Sequence, residues 1–168
     1  MNESNPFELL ANKETTTGEP VTEQAPTIPS TQPTTAPAAF LPKEYLANGY
    51  YATTDKGVKY LRPEFVGEYA ETMAKLLSDM KPSDFTGLLI EMKRSRKRAL
   101  PFEARLTAVT EMLPKAMALV SRKKAPALLV TFIKDNIDHI HNDDDWTGFF
   151  RHLMAIYSFL AAQKGGEL

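Results

Sequence analysis

Between residues 93 and 98 the chain reads KRSRKR, five basic side chains in six consecutive positions. Cations packed this densely make and break no bonds by themselves. They hold anions, and a phosphate backbone is the anion whose charge density matches them. On a helix turning about 100° per residue, Lys93, Arg94, Lys97 and Arg98 cover roughly 140°, nearly opposite the stripe Phe85, Leu88, Met92 and Ala99. That spacing predicts an exposed basic face. Arg96 falls beside the apolar arc, where it can snorkel over the core edge or pair with an acid of another helix. A second set follows: Lys115 and Arg122 are seven apart, so on a helix they share a face about 10 Å apart, with Lys123 and Lys124 at its end and Lys134 further on. Side by side, the two faces form a track for a phosphate backbone rather than a reader of base edges. Ordinary solvated helix faces and a nuclear-import peptide are the competing readings of the same residues.

Only one stretch invites a catalytic reading. HIHNDDDW, residues 139–146, brings His139 and His141 close to Asp143, Asp144 and Asp145, and imidazoles with carboxylates can hold a divalent metal. A metal-dependent nuclease centred on His139, His141 and Asp145 is the enzymatic reading. The spacing argues against it, because two histidines two apart point to different sides of a helix, whereas ligand pairs sit three or four apart. The aspartates read better as N-cap and first-turn residues, where an acid complements the helix dipole. His152, beside Arg151, reads as a structural or surface residue. No Gly-rich phosphate loop, nucleophile elbow or thiol is present, so neither enzymatic activity nor a cofactor is expected.

The elements that position these residues are helices. Pro63 and Glu64 suit a first helical turn, and Phe65, Tyr69, Met73, Leu76, Leu77 and Met80 recur at spacings of three and four. A second helix restarts with Ser83 as candidate N-cap and carries Phe85, Leu88, Leu89, Met92 and Ala99. A third begins near Pro101, with Phe102, Leu106, Val109 and Leu113, and Pro114 must break or kink it. Leu129, Phe132, Ile133, Ile137 and Ile140 mark a fourth. The last follows the Asn and Asp cluster, with Trp146, Phe149, Phe150, Leu153, Tyr157 and Leu160 on one face as core. No segment alternates with period two. The fold class expected is all-α: a compact bundle of about five helices over residues 48–168, preceded by a disordered tail over residues 1–47.

That tail is Thr-, Pro- and Ala-rich, almost free of large apolar residues, and cannot bury enough surface to offset its backbone entropy. NPFELL, residues 5–10, is its only candidate anchor or docking peptide. Six Glu and two Lys in these 47 residues give the tail a net charge of −4, and since the whole chain carries −1, the remainder carries +3. Overall neutrality therefore conceals a basic domain. The absence of cysteine excludes disulfides and thiolate metal sites. No apolar run approaches the roughly 18 to 20 residues that span a bilayer, and no signal peptide opens the chain, so a cytoplasmic protein without membrane contact is expected.

From about Gly49 to Gln163 the chain resembles the small subunit of the type III-A CRISPR effector, the Csm interference complex. An ordered series carries the resemblance: GYY before a short loop, LRPE opening the first helix, a Ser-capped second helix ending in Lys and Arg, LPKAMALVSR, and an acidic start to a last helix containing FFRHLMAIYSF. The resemblance implies a non-catalytic helical protein. Several copies would self-associate into a short filament along CRISPR RNA and target RNA, beside backbone subunits and a large polymerase-like subunit. It also assigns Lys93, Arg94 and Lys97, with Lys115 and Arg122, to the sugar-phosphate backbone of the guide–target duplex, in antiviral defence. Two departures stand out: Thr86 and Gly87 occupy a place where family members often carry an Arg, and Ala118 replaces a frequent Tyr. A small subunit of the related Cmr-type complex, and a helical adaptor whose tail docks to a protein partner, are the alternatives.

Overall fold

The computed structural model describes residues 41–42 and 44–165, without the Lys97 side chain. Most of the expected tail lies outside the described residues, but its end does not. Tyr45 and Leu46 are buried, so the packed domain begins before residue 48. The Tyr45 ring lies 5.3 Å from both Phe65 and Tyr69, and its hydroxyl donates to Asn136 Oδ1 at 3.1 Å. An aromatic ring with an internal partner for its hydroxyl is what lets this Pro-rich stretch end in the core.

A β-hairpin follows, with β1 (Tyr51–Thr53) antiparallel to β2 (Lys59–Leu61) and Ala52 opposite Tyr60. This departs from the expectation of no strands. Three-residue strands are too short to show alternation, and the turn between them was the only visible signal; Gly57 closes it at φ +78°. A 3-10 turn, Pro63–Phe65, then precedes α1 (Glu68–Leu76). Pro63 does open a helical turn, but Gly67 interrupts it before α1 begins.

The helix α2 (Pro82–Lys97) begins at Pro82, with Lys81 rather than Ser83 at the N-cap and no side-chain cap. Proline at the first position needs no donor, which is why the helix starts two residues earlier than a serine cap suggests. Next come α3 (Phe102–Thr110) and α4 (Met112–Ser121), the two halves of the helix that Pro114 was expected to interrupt. The break falls at Glu111, three residues before the proline. α5 (Leu128–Ile137) and α6 (Asp143–Gly165) complete the bundle, six α-helices among the described residues, or five if α3 and α4 are one kinked helix.

The longest helix, α6, is the one around which the rest assemble: α1, α2, α3, β1 and the 3-10 turn all touch it. Its core side is Trp146, Phe149, Phe150, Leu153, Ile156 and Leu160, with Tyr157 half-buried. Phe85, Leu88, Leu89 and Met92 of α2 and Leu129, Phe132 and Ile133 of α5 are buried as expected. Leu76 and Ala99 are not. Leu76 ends α1 on its outer side, and Ala99 lies beyond the end of α2 in the left-handed region at φ 48°.

The start of α6 shows what the acidic cluster does. Asn142 Oδ1 accepts from the backbone N–H groups of Asp144 and Asp145, and Asp145 Oδ2 accepts from His141 N and Asn142 Nδ2. Asn142 is thus the N-cap, and Asp145 at the third helical position reaches back to the N–H of the residue before that cap, a variant of the capping box. Asp143 pairs with Arg105 of α3, and Asp144 pairs with Lys59 of β2 at 2.5 Å. The Asp144 carboxylate raises the Lys59 pKa through that hydrogen bond. His139 Nδ1 contacts Asp135 O at 2.7 Å. Among the described residues no three His, Cys, Asp or Glu side chains form a metal-binding group, and Asp143, Asp144 and Asp145 are engaged in ion pairs and helix-capping bonds.

Candidate nucleic-acid interface

The basic run of α2 sorts Lys93, Arg94, Arg96 and Arg98 by neighbour. Lys93 is half-buried on the α6 side, with Nζ 5.5 Å from the Tyr157 ring centroid, and Arg96 lies 5.1 Å from the Phe150 ring. In both, the charged end itself lies over an aromatic ring, a cation–π arrangement. For Arg96 this is the core-edge position expected of it. For Lys93 it is a correction: the residue does not share one open face with Arg94 and Arg98, because α6 packs against that flank.

Arg94 and Arg98 face the other way, into a recess of about 170 Å³ between α2 and α3 that Glu91 and Glu111 also line. Arg94 Nη1 donates to Glu91 Oε1 at 2.9 Å, an exposed pair of small energetic weight. Arg98 caps the helix C-terminus and pairs with no acid among the described residues.

The second basic set lies on α4. Lys115 and Arg122 line one cleft of about 380 Å³, whose opposite wall is Ser83, Asp84, Gly87 and Leu88 of α2. The seven-residue spacing therefore does bring the two cations together. No side chain projects from Gly87, and a Cβ built there would meet nothing within 4 Å, so the cleft is open at the place where the resemblance leads one to expect an Arg. Lys124 reaches across to Asp84, Nζ to Oδ1 3.5 Å, tying the end of α4 to the first turn of α2. Lys123 is exposed.

The two basic helix ends share one construction. At α2, Ala99 N–H bonds to Arg96 O and Leu100 N–H to Ser95 O; at α4, Lys123 N–H bonds to Val120 O and Lys124 N–H to Leu119 O. Ala99 and Lys123, both non-glycine, are left-handed, at φ 48° and 57°. Each is a Schellman stop with an Arg at the C-cap, where positive charge complements the helix dipole. Part of the basic clustering therefore has a purely structural use.

Positions 84, 87, 91, 94 and 98 recur at three and four along α2, so the two clefts lie end to end on one side of it. About 14 Å of helix separates their centres. Lys115 and Arg122 stand at one end, Arg94 and Arg98 at the other. Lys134 is not brought to this side: it lies on α5 and donates to Asp138 at 2.9 Å, a bond that raises its pKa. Sequence reasoning missed that Asp84 and Gly87 share the cleft with Lys115. The spacing of 84 and 87 with 91, 94 and 98 was the available signal.

His152 belongs to the core instead. It is fully buried, with Nδ1 2.5 Å from Phe65 O and Nε2 without a partner. No helix among the described residues is long and apolar enough to cross a membrane. No family model, curated protein or solved structure matches the chain.

Proposed function

We propose that this chain is a non-catalytic RNA-backbone-binding subunit of a type III-A CRISPR effector, several copies of which line the guide–target duplex beside the backbone and large subunits. The observation that carries the reading is the pair of basic clefts laid end to end along α2, with Lys115 and Arg122 at one and Arg94 and Arg98 at the other. Their cations are aliphatic-stemmed and spaced along a helix, which suits phosphates in sequence. No exposed aromatic lines either cleft to stack a base, so sequence would be read by guide pairing. Lys93 and Arg96 are secondary in this reading, since α6 holds them.

The test is the salt dependence of RNA binding by the assembled complex. Lys115→Ala with Arg122→Ala is expected to lower the slope of log affinity against log salt by about 1.4 to 1.8, two phosphate contacts' worth, without changing sequence preference. Lys134→Ala, whose charge is already paired with Asp138, is expected to change it little. Unchanged affinity in the double variant at every salt concentration would overturn the reading.

A further inference from the structure

The cleft between α2 and α4 contains a charge of the wrong sign for a phosphate. Asp84, in the first turn of α2, lines it opposite Lys115 and Arg122. A carboxylate placed beside phosphates repels them, so charge alone gives this residue no use in holding a backbone. Two local uses are visible: it complements the α2 dipole, and it pairs with Lys124. Neither exhausts it. The Lys124 contact, Nζ to Oδ1 at 3.5 Å, is longer than a charge-assisted hydrogen bond, and among the described residues the carboxylate has no ion pair with Lys115 or Arg122. It is an acceptor with spare capacity, held in an open cleft.

We propose that Asp84 accepts a hydrogen bond from a ribose 2′-hydroxyl of the strand whose phosphates Lys115 and Arg122 hold, which makes the cleft selective for RNA over DNA. The inference rests on the backbone-binding reading above and adds a specificity residue to it. Its chemistry is narrow. A carboxylate can only accept, and a sugar-phosphate backbone offers a single donor, the 2′-hydroxyl, which DNA lacks. In an A-form duplex these hydroxyls are displayed along the wide, shallow minor groove.

The two walls suit such a contact. Lys115 and Arg122 stand two turns apart on α4, about 10 Å, so the phosphates they take set the intervening sugars against α2. On α2 that wall includes Asp84 and Gly87, three apart on one face. A Cβ at Gly87 would meet nothing within 4 Å, so no side chain there keeps a sugar from the carboxylate. The Asp84 side chain is 20% exposed and braced by Lys124, which limits the rotamer freedom lost on binding. Lys115, Arg122 and Lys124 outnumber the one carboxylate, so the cleft still attracts a polyanion.

The test compares an RNA duplex with the same duplex carrying fluorine in place of every 2′-hydroxyl, which keeps the A-form shape and removes the donor. Binding of each to the full-length chain is measured at low salt. The wild-type chain is expected to prefer the RNA duplex about tenfold, the effect of one hydrogen bond to a charged acceptor. Asp84→Ala is expected to bind both duplexes alike, whereas Lys124→Ala, which removes only the brace, keeps the preference. The ratio is taken on one sample, so it does not depend on how much of a variant is folded. A preference that survives Asp84→Ala, or none in the wild-type chain, would overturn the proposal. Lys115→Ala with Arg122→Ala separates this from the reading beneath it. Weaker binding of both duplexes by that variant, with no preference in the wild type, would leave the backbone contact standing and Asp84 without the role. Unchanged binding of both would remove the backbone contact as well, and so would failure of the wild-type chain to bind either duplex.

Discussion

His152 makes a pH dependence calculable. Its imidazole is fully buried among the rings of Tyr45, Phe65 and Phe132, at 5.7, 5.3 and 5.7 Å, from three different elements. No carboxylate influences it. Burial lowers its pKa from 6.5 to about 4, and the Phe65 carbonyl, which holds a proton on Nδ1, opposes this only in part. The native state therefore keeps the ring neutral over a range in which the unfolded chain takes up a proton. Stability from this group is present in full above about pH 6.5, declines as pH falls, and is exhausted near pH 4. The gap between 6.5 and about 4 converts to about 3 kcal/mol, a large share of a small domain's stability. The assay is urea denaturation from neutral pH to about 4, comparing the wild-type chain with His152→Gln. The Gln amide can still donate to Phe65 O but does not titrate. The variant is expected to be less stable at neutral pH and to lose about 3 kcal/mol less on acidification. Using the difference cancels the other ionisable groups, which the two proteins share. Parallel stability curves for the two proteins would refute the reasoning, since they would mean that the native ring is solvated or charged. Imidazole proton resonances give a second view: the His152 ring is expected to stay neutral in the native state until the protein unfolds.

Two further substitutions test the packing and the helix ends. In Gly148→Ala the new Cβ would lie 2.5 Å from Tyr50 Cβ and 2.6 Å from its Cγ, and Tyr50 is held by a 2.6 Å hydrogen bond to Asn136. Overpacking should outweigh the gain in helix propensity, for a net loss of about 1–3 kcal/mol read as a lower melting temperature; an unchanged or raised value would contradict the contact. In Ala99→Gly the left-handed stop of α2 is relieved, and a gain of about 0.5 kcal/mol is expected as a higher urea midpoint at unchanged slope, while a lower midpoint would contradict the assigned backbone.

The helices were legible because their apolar residues recur at three and four over ten or more positions, as in Phe149, Leu153, Ile156 and Leu160. Features that depend on one or two residues were not. The hairpin has strands too short to alternate, and Tyr45 is an isolated aromatic at the end of a Pro-rich stretch whose role is visible only once Asn136 is seen to accept from both Tyr45 and Tyr50. Asn136 itself occupies a helix position that polarity alone places outside; it is buried because its amide also donates to Phe132 O at 2.7 Å, so each polar group has a partner.

The same reasoning explains why a helical wheel drawn for α2 in isolation found the basic residues but misplaced Lys93. A wheel knows the apolar arc and treats everything opposite it as solvent. Three helices border α2, however, and they differ in kind: α6 presents Tyr157 and Phe150, which favour a cation lying flat, while α3 and α4 form clefts with α2 that Asp84, Glu91 and Glu111 line. Lys93 and Arg96 therefore have packing uses that no phosphate is needed to explain. Arg98, Lys115 and Arg122 stand at open clefts and pair with no acid among the described residues. Charge that a fold leaves unpaired beside a cleft is better evidence for an external anion than charge density along the chain, and on that ground α4 carries more of the proposed interface than the longer basic run of α2.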